Sequence, residues 1–252
     1  MNICIFPARK GSKRIKNKNT KLFNGLPIIS YPIKQAIKSK VFNRLFISTD
    51  SKKICSYVKK FDIEAPYLRS KKLSDDKTGI IKVTKNYIEL LRKKKIYPKY
   101  VCCIFPTAVF INSKHLKKAF NILKINKKIN YVFAAHKVDN AVLRSFTIKK
   151  NKKVEKMNLP KLYNNRSQDL NNVYVDSGQF YFARTSVFMN EKAVFTNFSK
   201  IIDVSSLKVI DINYIKDWTM AEKILKKNEK KNFSNCSTSR RWSRTYICPH
   251  FF

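Results

Sequence analysis

The sequence predicts an α/β fold: a Rossmann-like, doubly wound and mostly parallel sheet with a small inserted region. Three observations lead to the α/β class. Short apolar runs suit strands buried on both faces, the segments between them carry apolar residues three and four apart, and the two kinds alternate along the chain. With 252 residues and 44 % hydrophobic content, the chain can bury one such core and carry a small appendage.

Asn2 to Pro7 reads as a first strand, followed by a polar loop from Ala8 to Thr20. Pro27 then opens a helix carrying Ile28, Ile29, Ile33, Ala36 and Ile37. Leu45 to Ile47 form a second strand ending at Ser48-Thr49-Asp50. Asp50 or Ser51 caps the next helix, whose inner stripe is Ile54, Tyr57, Val58 and Phe61. A short third strand falls near Ala65 to Leu68. Ile80 to Leu91 is helical with Ile81, Ile88 and Leu91 inward, and Tyr100 to Phe105 is a buried strand ended by Pro106-Thr107. Ser113 caps a helix presenting Leu116, Ala119, Phe120 and Leu123, and Tyr131 to Ala135 is again a strand. The pattern loosens between Lys137 and Tyr174. Gln179 to Ala183 and Lys208 to Ile212 return to strand character, and Trp218, Ala221, Ile224 and Leu225 mark a closing helix.

This pattern divides the chain into an α/β domain over 1–136 and 176–232 and an inserted region over 137–175. A tail over 233–252 trades the Lys-Asn-Ile idiom for Ser, Thr, Arg and Cys, and is expected to be disordered and outside the fold.

Lys and Arg number 54 against 16 Asp and Glu, a formal charge of +38. A surplus of this size is compatible with nucleic-acid binding. Its dispersal over the whole chain, mostly as lysine among asparagine and isoleucine, favours a general compositional bias over a dedicated nucleic-acid surface. No apolar run approaches the roughly 18 residues of a membrane span. The stretch Ile3 to Ala8 lacks the basic lead-in of a signal peptide, so a cytoplasmic protein is expected. The six cysteines form no CxxC pair, and Cys102 and Cys103, adjacent in a strand, should point to opposite faces as buried thiols.

The most informative stretch is Pro7-Ala8-Arg9-Lys10-Gly11-Ser12-Lys13-Arg14-Ile15-Lys16-Asn17-Lys18-Asn19. It leaves the C-terminal end of the first strand, where open α/β sheets bind ligands. Gly11 allows a phosphate to approach the backbone, Ser12 adds a hydroxyl, and Arg9, Lys13 and Lys18 supply the charge a triphosphate needs, although in a chain this rich in lysine the same residues read equally as a solvated loop. Neither GxxxxGK[ST] nor GxGxxG matches it.

The order ARxGSKxxxxKN resembles the nucleotide-binding signature of the sialic-acid-type cytidylyltransferases, the CMP-sugar synthetases. The resemblance implies that Arg9, Gly11, Ser12, Lys13, Lys18 and Asn19 hold CTP. It extends to Leu68-Arg69 and Leu73-Ser74-Asp75-Asp76-Lys77-Thr78, similar to the family's LR…LAxDxT segment, which places Arg69 and Thr78 at the cytidine end. On the residues alone, the same segment also reads as a surface turn capped by Asp75 or Asp76. Pro106-Thr107-Ala108 resembles the PTSP or PTAP turn, with Val109 in place of the last proline.

Arg166-Ser167-Gln168-Asp169-Leu170 and Asp176-Ser177-Gly178-Gln179-Phe180-Tyr181 resemble the RSQDL and DAGQFYW segments of pseudaminic acid cytidylyltransferases, as does Phe105 in the place where the sialic acid enzymes carry glutamine. The resemblance implies that Arg166, Gln168, Asp169, Asp176 and Gln179 contact an acidic nine-carbon sugar, and that its anomeric hydroxyl attacks the α-phosphorus of CTP with pyrophosphate leaving. Arg9, Lys18 and Asp211 are then the catalytic set. Legionaminic, neuraminic and 3-deoxy-octulosonic acids are the alternative sugars, and a basic RNA-binding protein on the same fold is the reading from another class.

Val209-Ile210-Asp211-Ile212-Asn213 with Asp217-Trp218 resembles the family's DIDTPEDW stretch. The resemblance implies a Mg²⁺ held by Asp211 and Asn213, residues two apart that a strand would turn to one face. Asn213 stands where the family has a second carboxylate, which raises the alternative of a catalytically weakened paralogue. Asp217 and Trp218 read as helix cap and core. The family's homodimers, paired through the insert, imply the same assembly here.

Overall fold

The computed structural model describes residues 1–149, 153–156 and 165–238, with side chains described at all of these except 156, 167 and 229–238. Six strands form the central sheet. They are β1 (Asn2–Pro7), β4 (Arg44–Ser48), β5 (Tyr100–Ile104), β6 (Tyr131–Val138), β9 (Val173–Arg184) and β10 (Ser199–Asp203), in the spatial order β10-β6-β9-β5-β1-β4. Two small hairpins pair β2 (Leu22–Phe23) with β3 (Leu26–Pro27), and β7 (Phe146–Ile148) with β8 (Val154–Lys156). The helices are α1 (Ser30–Ser39), α2 (Lys52–Lys59), α3 (Ile80–Lys93), α4 (Ser113–Ile125), α5 (Thr185–Met189) and α6 (Ile215–Thr238).

Period-two alternation splits the core into two layers. Cys4, Phe6, Ile47, Cys102, Ile104, Val132 and Phe182 face α1, α2, α4 and α6. Ile3, Ile5, Phe46, Val101, Cys103, Phe133 and Tyr181 face α3 and α5. Cys102 and Cys103 thus point to opposite layers as expected. Both are free thiols that burial pushes well up from the ordinary value, Cys103 to about 12.

The expected doubly wound sheet is present, and its exception positions the cleft. β9 runs antiparallel between β5 and β6, while the neighbouring pairs β1–β4, β1–β5 and β10–β6 are parallel. Its ladder with β6 shifts register: Tyr181 pairs with Phe133, yet Asp176 pairs with Ala135. The extra β9 residues bulge out of the ladder around Gly178, whose φ is +59°.

Several boundaries differ from the sequence reading. Pro27 closes the β2–β3 hairpin, and α1 begins only at Ser30. Residues 65–68 form no strand; isolated bridges Phe46–Glu64 and Thr49–Leu68 flank this stretch where it runs beside β4, the edge strand of the sheet. Lys208 to Ile212 is not a strand either. The edge position beside β6 is taken by β10, and Lys208 adopts a left-handed conformation that turns the chain away. Ser51 caps α2 by accepting from Ile54 N–H, while α4 is capped by Asn112 in a reciprocal box with His115 rather than by Ser113. Sheet pairing also enters the segment assigned to the insert, through Lys137–Tyr174 and Val138–Val173. The helix expected to close the fold runs on to Thr238, into the segment read as a tail, whose residues 239–252 lie outside the described residues.

Candidate active site

The loop after β1 is tied down before it reaches solvent. Ala8 N–H donates to the Ser48 carbonyl at 2.9 Å, Lys10 N–H to Asp50 Oδ1 at 2.6 Å, and the Ile15 side chain is buried in the core. Asn19, also buried, donates from Nδ2 to the Arg9 carbonyl at 2.9 Å and so fixes the backbone from which the Arg9 side chain projects. Arg9, Ser12, Lys13, Arg14, Lys18 and Asn19 then line one wall of a cleft of about 660 Å³.

Phe105, Pro106 and Thr107, which follow the end of β5, line it as well. The opposite wall is built from Asp176, Gly178, Asp211 and Asn213. The bulge in β9 presents Asp176 and Gly178, and the segment between β10 and α6 presents Asp211 and Asn213. Lys18 spans the cleft: its ammonium donates to the Ile212 carbonyl at 2.6 Å. Burial lowers the Lys18 pKa, nearby Arg14 and Arg9 lower it further, and Asp211 and Asp217 oppose the shift.

Asp211 Oδ2 accepts from Asn213 Nδ2 at 2.6 Å, so these two side chains meet although their segment is not a strand. Asp217 Oδ2 accepts from the main-chain N–H groups of Asn213 at 3.0 Å and Tyr214 at 2.7 Å. It anchors the start of α6, as the cap reading held, and these bonds hold its carboxyl below the ordinary value. Trp218 is buried and packs edge-on against Phe23, ring centres 5.3 Å apart.

Asp176 accepts from Tyr181 Oη and, at 3.1 Å, from Gly178 N–H. Burial pushes its carboxyl above the ordinary value; those two hydrogen bonds resist the shift, and Asp211 adds to it. Gly178 is pressed against Asp211: a Cβ there would stand 3.2 Å from Asp211 Oδ1.

The structure therefore gathers Arg9, Ser12, Lys13, Lys18, Asn19, Asp176, Asp211 and Asn213 around one cleft. Other expected residues lie elsewhere. Gly11 is exposed beside the cleft, with open space where a side chain would go. Arg69 sits half-buried beneath the end of β4, its Nη2 donating to the Ser48 carbonyl at 2.6 Å, so it supports the strand end rather than lining the cleft. Thr78 closes a turn in which Asp75 Oδ1 accepts its N–H at 2.7 Å. Gln179 is buried, and its amide serves the main chain: Nε2 donates to the Ser177 carbonyl at 2.8 Å and Oε1 accepts from Phe110 N–H at 3.3 Å. Its amide is thus turned to the main chain, and it is not among the residues that line the cleft. Arg166, Gln168 and Asp169 are exposed on the insert and are not among the cleft walls.

Two contributors were missed in the sequence. Asp76, which the sequence offers only as a cap in the surface-turn reading of its segment, ion-pairs with Arg9 and, at 2.5 Å, with Lys13. These cations, Lys13 foremost, hold its carboxyl below the ordinary value. Tyr181, read as core, also holds Asp176 through its hydroxyl. The offset of five residues between them is the one signal that could have paired them, and a bulge was needed to make that offset productive.

Among the described residues no group of three or more His, Cys, Asp or Glu gathers in the manner of a closed metal cage, and no helix is long and apolar enough to cross a membrane. Residues 3–234 match the family described as Cytidylyltransferase. The chain is 35 % identical over 232 residues to the pseudaminic acid cytidylyltransferase of Campylobacter jejuni, covering 92 % of this chain and 99 % of that one. It is 26 % identical over 234 residues to the CMP-N,N'-diacetyllegionaminic acid synthase of Legionella pneumophila, covering 90 % and 97 %. A solved CMP:2-keto-3-deoxy-manno-octonic acid synthetase complexed with CTP superposes with a TM-score of 0.68 at 12 % identity, covering 90 % and 99 %, which speaks to the fold.

Proposed function

The chain belongs to the cytidylyltransferase family, and from that premise we propose that it transfers CMP from CTP to the anomeric hydroxyl of pseudaminic acid. The observation that carries this reading is the shared cleft, in which the Arg9–Asn19 loop faces Asp211 in a chain that resembles a pseudaminic acid enzyme over nearly its whole length.

The sugar hydroxyl oxygen forms a bond to the α-phosphorus while the bond to the bridging oxygen of pyrophosphate breaks, and the hydroxyl proton leaves to solvent. Arg9 and Lys13 would grip the polyphosphate, exchanging Asp76 for it, and the Ser12 hydroxyl would donate to a phosphate oxygen. Lys18, pre-positioned by the Ile212 carbonyl, places a fixed cation where charge grows as pyrophosphate departs.

A Mg²⁺ fits the donor set: the cation usually takes one or two carboxylates and completes its shell with substrate phosphates and water, and Asp211 with Asn213 offers side-chain oxygens on the cleft wall. Bound there, it would neutralise charge on the phosphoryl oxygens. Arg166, Gln168 and Asp169 are the groups proposed to reach the sugar from the insert, and Arg69 and Thr78 to support the cytidine end.

The β7–β8 hairpin leaves Phe146, Ile148 and Val154 exposed, which supports pairing of two copies through the insert; light scattering on the purified protein tests it. Buried free thiols at Cys4, Cys102 and Cys103 support a reducing, cytoplasmic setting.

The experiment that tests the function incubates the protein with CTP, Mg²⁺ and, separately, pseudaminic, legionaminic, neuraminic and 3-deoxy-octulosonic acids, and measures pyrophosphate. Release with pseudaminic acid well above the others is expected. Equal or greater release with legionaminic acid would move the substrate assignment to that sugar, and no release with any of the four would overturn the reading.

A further inference from the structure

A divalent cation opposite a triphosphate needs negative charge from the protein, and the segment bearing Asp211 provides only one unit, because Asn213 is neutral. We infer that the second carboxylate comes from Asp176, carried in by the bulged antiparallel strand, and that Asn213 serves to orient Asp211. The inference rests on the cytidylyltransferase reading and assigns Asp176 to the cation rather than to the sugar.

The geometry around Gly178 carries it. Gly178 N–H donates to Asp176 Oδ1 at 3.1 Å, and the place of its missing Cβ is 3.2 Å from Asp211 Oδ1. Gly178 therefore binds one carboxylate and leaves room for the other where its side chain would stand.

The two oxygens of Asp211 are divided in role. Oδ2 accepts from Asn213 Nδ2, while Oδ1 is the nearer of the two to the place of the Gly178 Cβ.

Asp176 is held rigidly for this purpose. Tyr181 Oη donates to its Oδ2, and the Tyr181 ring packs between Phe105 and Phe133, with ring centres 5.5 and 6.3 Å away. Among the described residues neither Asp176 nor Asp211 makes an ion pair with Lys or Arg. The remaining carboxylate of the cleft, Asp76, is already matched by two cations. Two like charges brought together without a cation repel, and a divalent ion between them removes that cost. On this assignment the neutral residue at 213 is offset by a carboxylate from another strand, and the chain is not a weakened copy.

The test titrates Mn²⁺ into the metal-free protein and follows the electron paramagnetic resonance signal of the free ion, a readout independent of turnover. Asp176→Asn should weaken Mn²⁺ binding about tenfold or more. Asp76→Asn makes the same charge change in the same cleft and should alter it less than about threefold. Adding Asn213→Asp to Asp176→Asn should restore most of the lost affinity. Unchanged Mn²⁺ affinity in Asp176→Asn, or equal weakening by Asp176→Asn and Asp76→Asn, overturns the inference. Should Asp176→Asn fail to fold, Tyr181→Phe removes only the hydroxyl that holds Asp176; weaker Mn²⁺ binding is expected there too, and wild-type affinity overturns the inference. Pyrophosphate release by the wild-type protein is measured alongside, so that failure of the functional reading shows in that assay and failure of the inference in the Mn²⁺ titration.

Discussion

The ammonium of Lys18 reaches across the cleft to the carbonyl oxygen of Ile212, 2.6 Å away and 194 residues distant in sequence. This bond makes the basic loop and the acidic wall a single rigid frame rather than two surfaces that meet only when ligand arrives.

Lys18→Met keeps much of the apolar stem and removes both the bond and the charge. It should lower kcat/KM by about a hundredfold, as loss of one preorganised donor does, while far-UV circular dichroism stays unchanged. A variant within threefold of wild type would remove Lys18 from the catalytic set.

Burial depresses the Lys18 pKa, so between the folded value and 10.5 the folded protein binds fewer protons than the unfolded chain, and in that window stability rises with pH. A bound polyphosphate favours the charged form and raises the pKa again. CTP binding in that same window should therefore take up protons, visible as a binding enthalpy that changes with the ionisation enthalpy of the buffer. Lys18→Met should lose that buffer dependence.

Gly178→Ala meets two obstacles: a left-handed backbone and contact with Asp211. The backbone alone costs about 1–2 kcal/mol, roughly 2–8 °C in Tm for a chain of this size. Displacement of Asp211 should lower kcat at least tenfold. Differential scanning calorimetry and a pyrophosphate assay check the two effects separately.

Gln179→Ala strips partners from the buried Phe110 N–H and Ser177 carbonyl. Each orphaned group costs about 1–3 kcal/mol, so thermal stability should fall clearly. If Gln179 instead acted as a sugar contact, the variant would keep its Tm and lose sugar affinity alone, an outcome that sugar KM and a melt together would reveal.

Asn213→Asp replaces the amide that donates to Asp211 at 2.6 Å with a second negative charge. The variant should melt below wild type in EDTA and regain stability in Mg²⁺, with activity equal to or above wild type. A large loss of activity in Mg²⁺ would count against the placement of the cation.

Much of this was legible from local pattern. The strand-helix alternation and the loop from Arg9 to Asn19 depend on residues close in sequence, and both appear where periodicity and motif order put them. The direction of β9 was not legible, since an apolar run such as Phe180 to Ala183 looks the same either way. Gln179 reads from sequence either as a contact or as part of a core strand, because only the folded main chain shows that Phe110 N–H and the Ser177 carbonyl engage it. Asp76 was hidden within a turn motif whose capping role Asp75 fills.

The Arg9–Asp76–Lys13 cluster has a kinetic corollary. An unliganded cleft that already holds its own carboxylate trades one anion for another when nucleotide docks, so added salt should weaken affinity less steeply than the surrounding lysines suggest. The same trade works in reverse after turnover. Asp76 can re-enter as pyrophosphate leaves, giving the product a competitor tethered a few ångströms from its exit and making departure less dependent on diffusion alone.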